Sequence, residues 1–124
     1  MFLGDMLLIH LLFLWHTMEL TLIIIPTYNE VENIEAIATR LQNSDYFPES
    51  VNVGFMQILS RNEINLRVIE RGVGETLACG SGACAAVIHG IQLSLLENEV
   101  EVQLKGGSAF VEYNGDSAYL SGPG

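Results

Sequence analysis

Positive charge is scarce in this chain. Across 124 residues the cations are Arg40, Arg61, Arg67, Arg71 and Lys105, set against 15 Asp and Glu, for a formal net charge of −10. So acidic a chain has no electrostatic footprint for nucleic acid or for an anionic lipid surface. One well-placed arginine is still enough to grip the carboxylate of a small zwitterionic ligand. Cysteine is scarcer still, with Cys79 and Cys84 the two present. Five residues apart on one helix they point to different faces, which excludes a disulfide framework. Without a second ligand pair, Cys-x4-Cys does not suggest zinc either, and no metal is expected. Reduced thiols point to the cytoplasm. Long apolar runs are lacking too. Met6 to Trp15 is apolar, but it adjoins Asp5, contains His10 and is too short for a stable membrane insertion. No basic stretch precedes it and no clear cleavage site follows, which argues against a secretory signal.

What is present suits one domain with a sizeable core, since 49% of the residues are hydrophobic. Glu19 to Ile25 is a β-branched apolar run that reads as a buried strand ended by Pro26. Thr27 or Asn29 is placed to cap a helix over Glu30 to Gln42, where Val31, Ile34, Ile37, Ala38 and Leu41 fall at helical spacing. Asn52 to Leu59 and Ile64 to Glu70 read as strands around a turn. The second alternates, with Ile64, Leu66 and Val68 on one face and Asn65, Arg67 and Ile69 on the other. Arg71 to Ala78 reads as a glycine-bearing loop. Gly80 to about Leu96 is a helix apolar nearly all round, and such a helix is wrapped by other structure. Glu99 to Leu104, Ala109 to Tyr113 and Ala118 to Leu120 are short strands, with Asn114-Gly115 as a hairpin signal. The expected fold class is α+β, short antiparallel strands wrapped around a central apolar helix.

The chemistry concentrates in Glu70-Arg71-Gly72 and Ala78-Cys79-Gly80-Ser81-Gly82-Ala83-Cys84-Ala85. A cysteine just before a helix faces unpaired N–H groups and the positive end of the helix dipole. Both favour thiolate, the form that acts as base or nucleophile. The N–H groups of Gly80 and Ser81 suit a carboxylate, and glycine lets a ligand approach the backbone. Arg71, at a strand end before a glycine loop, suits a carboxylate clamp. Cys84, deeper in the apolar helix, reads as core packing, as does His89. Glu75 and Thr76 read as residues that order the loop and cap the helix.

Val51-Asn52-Val53-Gly54-Phe55-Met56-Gln57, then Glu70-Arg71-Gly72, then Thr76 through Ala85 together resemble the second half of the diaminopimelate epimerase family. The resemblance runs from about Ile34 to the C-terminus. It implies an epimerase that needs no cofactor and interconverts LL- and meso-diaminopimelate by proton transfer between two cysteines, one of them Cys79. It further implies substrate contacts from Asn52, Glu70, Arg71, Gly80 and Ser81, with Arg71 on the distal carboxylate. The family's first half supplies the other cysteine from a Cys-Gly-Asn-Gly turn, and a Gly-Asn-Pro-His motif opens its second half. Neither motif is in this sequence. The chain is therefore expected to be an incomplete half that lacks turnover alone, and either meets a separate first half or self-associates.

Leu20 through Glu30, with Ile23-Ile24-Ile25-Pro26-Thr27-Tyr28-Asn29-Glu30 at its centre, resembles the opening of a family-2 glycosyltransferase. No Asp-x-Asp metal motif follows. Two units are thus expected: residues 1–33, an apolar segment and strand-turn of uncertain origin, and residues 34–124, an epimerase-like domain truncated at its end. The competing expectations are a non-catalytic fragment that keeps part of a ligand site, and a glycosyltransferase start fused to unrelated sequence.

Overall fold

Alternation along Glu63–Glu70 organises the molecule, because its two faces enter two different cores. The computed structural model describes residues 13–16, 21–27, 34–77 and 80–122. In chain order these form β1 (Phe13–His16), β2 (Thr21–Thr27), α1 (Ile34–Gln42), β3 (Asn52–Ser60), β4 (Glu63–Glu70), β5 (Gly74–Thr76), α2 (Gly80–Gln92), β6 (Glu99–Leu104), β7 (Gly107–Tyr113) and β8 (Ala118–Ser121). One sheet runs β1-β2-β3-β4-β6-β7-β8, and β5 pairs with β4.

Ile64, Leu66 and Val68 join Ile24, Met56, Val100, Val102 and Val111 in a core closed by Ala83, Ala85, Ala86 and Val87 of α2. Ile69, on the opposite face, packs with Ile23, Ile25, Val53 and Phe55 beneath Ile34 and Ala38 of α1. Burial of an aliphatic side chain of this size contributes about 1.5–3 kcal/mol. The small residues of α2 let its backbone lie close to the sheet, where it contacts β2, β3, β4, β7 and β8.

The sheet is mixed rather than wholly antiparallel. Strands β2 and β3 pair in parallel from Leu22↔Asn52 to Thr27↔Gln57, and β4 pairs in parallel with β6 from Glu63↔Glu101 to Asn65↔Gln103. Both parallel pairs are joined by a crossover that contains a helix, as parallel neighbours require. Pro26 does not end β2, which continues to Thr27. Proline is tolerated where no neighbour needs its N–H, and β1 pairs only as far as Ile24.

Helix α2 is shorter than its apolar run. Ser94 takes φ 62°, and the N–H groups of Ser94 and Leu95 return to the carbonyls of Ile91 and Gly90 at 2.9 Å each. That pair of bonds is a Schellman cap, here closed by serine in the left-handed region. The residues before Ile34 in the expected first helix lie outside the described residues. At the far end, the Asn114 side-chain oxygen accepts from the N–H groups of Asp116 and Ser117 at 2.9 and 2.8 Å, fixing the β7–β8 hairpin.

Candidate functional site

The sheet register decides which candidates can meet. Asn52 opens β3 on the α2 side, two residues before Gly54, which pairs with Val68 of that core. Glu70 closes β4 on the same side, two residues after Val68. Asn52 and Glu70 therefore share one face at one end of the sheet. Asn52 is buried, and its Oδ1 accepts the backbone N–H of Arg71 at 2.9 Å, which ties the strand start to the strand end. The Arg71 guanidinium donates from Nη1 to the carbonyl of Glu49 in the loop before β3. Five fixed N–H donors let an arginine serve such a carbonyl and a ligand carboxylate from one position.

After Glu70 the chain reverses at once. Val73 N–H donates to the Glu70 carbonyl at 3.2 Å, with Gly72 at φ 75° and Gly74 at φ 104°. These left-handed values favour glycine at both places. The expected loop is thereby a tight hairpin whose return strand, β5, pairs Gly74 with Glu70, Glu75 with Ile69 and Thr76 with Val68. A three-residue strand between turn residues carries no periodicity, which is why the sequence reads as loop.

Strand β5 presents a different residue to each side. Glu75 lies on the outer face with Arg67, which donates from Nε to Oε2 at 2.7 Å and from Nη2 to Oε1 at 2.6 Å. Lys105 Nζ stands 3.5 Å from the same Oε1. The carboxylate is nearly enclosed, its side chain 7% exposed against 49% for Arg67. Glu75 thus orders the loop, as expected. Thr76 does not act as a cap: its Oγ1 is buried and has no hydrogen-bond partner. The Arg67–Glu75 pair was the strongest feature that sequence reading missed. Outward-facing Arg67 and a Gly-x-Gly reversal are the signals that would have found it.

The Arg67 hydrogen bond, aided by the Arg67 and Lys105 charges and opposed by burial, holds the Glu75 carboxyl below its ordinary value. The Arg67 guanidinium is raised by the same hydrogen bond first. Glu75 therefore binds its proton more weakly folded than unfolded. Its stabilisation is present above the unfolded value of 4.5 and is lost as pH falls through the lower folded value. We expect Glu75→Gln to cost stability that is constant above about pH 5 and shrinks below it. Urea denaturation of both proteins across that range checks this, and parallel acid limbs would refute it.

Beyond β5, the Leu77 carbonyl accepts the N–H of Gly106 at 2.8 Å, which links this segment to the β6–β7 turn. Cys79, the expected proton-transfer residue, lies with Ala78 outside the described residues. Its two described flanks are Leu77 and Gly80. Gly80 and Ser81 are exposed in the first turn of α2, where backbone N–H groups have no intrahelical acceptor. Cys84 sits one turn on, half-buried against the α2 core, and His89 is buried in the same helix. Among the described residues no group of three His, Cys, Asp or Glu is arranged to hold a metal ion, and no helix is long and apolar enough to cross a membrane.

The fold is that of phenazine biosynthesis proteins of the PhzF family. The Enterococcus faecalis structure has a TM-score of 0.61 at 15% identity, with 82% of this chain and 36% of that one covered. The Bacillus anthracis structure has a TM-score of 0.61 at 16% identity, covering 88% and 36%. At those identities the likeness concerns architecture alone. Sequence is more specific: the diaminopimelate epimerase family model matches residues 16–123, and the chain belongs to that family. A diaminopimelate epimerase of Vesicomyosocius okutanii subsp. Calyptogena okutanii is 54% identical over 92 residues, 73% of this chain and 34% of that protein. The chain spans about a third of the length of this curated relative.

Proposed function

We propose that this chain carries the second-half share of a diaminopimelate epimerase site. The observation that carries the reading is the convergence of Asn52, Glu70 and Arg71 at one sheet end, on strands that lead through β5 into the first turn of α2. Arg71 grips the distal carboxylate of the substrate, Asn52 and Glu70 hold the same amino-acid end, and the N–H groups of Gly80 and Ser81 receive the reacting carboxylate. Cys79 exchanges the α-proton on one face of that carbon. Removing this weakly acidic proton places negative charge on the carboxylate, which fixed N–H donors in a dry site stabilise. A thiol on the opposite face completes inversion without a cofactor.

That second thiol comes from a complementary first half, and the chain alone has no turnover. Cys84 does not replace it, since it lies one turn further along the same helix. The domain that carries the site is 34–124, residues 1–33 add β1 and β2 to its sheet and cores, and the protein works in the cytoplasm.

The test is to combine the chain with a separately produced first half of the relative, offer LL-diaminopimelate in deuterium oxide and follow deuterium at the α-carbon. Exchange that requires both components is the expected result. If the combined halves exchange no faster than either alone, the reading fails.

A further inference from the structure

We infer that Thr76 is a further ligand-binding residue, its hydroxyl accepting from the ammonium group of the distal amino-acid end, held jointly with the Glu70 carboxylate. The inference rests on the functional reading above and adds a residue to it.

Three observations converge on Thr76. Its register partner is Val68, a member of the α2-side core, so its side chain shares the face of Asn52 and Glu70. Its Oγ1 is buried without a hydrogen-bond partner. A buried hydroxyl left unpaired is a net cost to folding, and native proteins keep few of them. The opposite face of the same short strand is fixed by the Arg67–Glu75 bidentate pair, so the hydroxyl cannot readily turn outward to water. A strand anchored outside presents an unsatisfied group inside.

The ligand chemistry follows from the neighbour. Glu70 pairs with Gly74, two residues before Thr76, and such diagonal positions are about 7–8 Å apart, within reach of long side chains. Glu70 is half-buried at the strand end. A carboxylate and a hydroxyl together supply acceptors, and an ammonium group supplies three donors. A carboxylate ligand would meet repulsion from Glu70, so the amino group of the amino acid is the better match.

The experiment compares Thr76→Val with Thr76→Ser by titrating the full chain, combined with the separately produced first half, with meso-diaminopimelate in a calorimeter, and by thermal unfolding of the chain. Valine keeps the shape and removes the hydroxyl. Expected are binding weakened about tenfold, as for loss of a hydrogen bond to a charged group, with no fall in melting temperature, and serine binding within about twofold of wild type. Binding by Thr76→Val as tight as wild type overturns the inference and leaves the functional reading standing. A lower melting temperature for Thr76→Val also overturns it, because the hydroxyl then has a structural partner. A wild-type mixture of the two halves that binds no diaminopimelate removes the functional reading, and this inference with it.

Discussion

Cys79→Ala is expected to abolish deuterium exchange in the reconstituted mixture, by about a thousandfold or more, the usual loss for a proton-transfer group. Serine at the same place should fail as badly, since its hydroxyl does not ionise near neutral pH. Cys84→Ala should leave exchange nearly intact and cost a little stability, because that side chain packs against the α2 core. The two thiols differ in their place in the sequence relative to α2. Cys79 comes just before Gly80, the first residue of α2, and the N–H groups and dipole of a helix start favour thiolate. Cys84 lies past that first turn. Alkylation with iodoacetamide, followed at both sites by mass spectrometry across pH, separates them without needing any enzymatic activity. Equal rates in the folded chain would contradict the assignment.

Gly106→Ala is expected to lower stability by about 1–3 kcal/mol, the usual range for forcing an extra methyl into a filled space. An ideal Cβ at Gly106 would stand 2.7 Å from the Leu77 carbonyl oxygen and 2.9 Å from its Cβ. The obstructing atom belongs to backbone, so it cannot swing aside as a flexible side chain does. Relief requires the turn and the Leu77 segment to separate, which sacrifices the Gly106 N–H bond to the same carbonyl. Because Leu77 lies two residues before Cys79, the variant should also change the alkylation rate of Cys79 more than that of Cys84. Urea denaturation reads the first effect and mass spectrometry the second. A variant as stable as wild type would mean that the close approach carries no weight.

Both predictions depend on features that were unequally legible in the sequence. Strand β4 was plain, because strict alternation from Ile64 to Ile69 has one structural meaning. Helix α2 was plain from Gly80 onward, although its end came early: the apolar run continues to Leu96, while the stop depends on Ser94 adopting a backbone state the sequence does not advertise. The parallel neighbours were not legible, since register between β2 and β3 is a property of two distant segments. Strand β5 was hidden for the opposite reason: three residues, the first a glycine, are too few for any period. With β5 unseen, the pairing of Arg67 with Glu75 and the isolation of the Thr76 hydroxyl were unseen too. Asn52, Glu70 and Arg71 stood out as candidates through their motifs, and the hydrogen bond from Arg71 N–H to Asn52 links two of those motifs physically.

The three consecutive isoleucines of β2 divide their allegiance: Ile24 enters the α2-side core, while Ile23 and Ile25 enter the α1-side core. A strand walled on both faces is selected for continuous aliphatic bulk rather than for any particular order of side chains. Such a strand acts as a shared partition between two rooms. Loosening it opens both together, so the layers on either side behave as one cooperative unit. The same property makes it exchangeable, since another β-branched run of equal length would satisfy both cores without altering the residues that line the site.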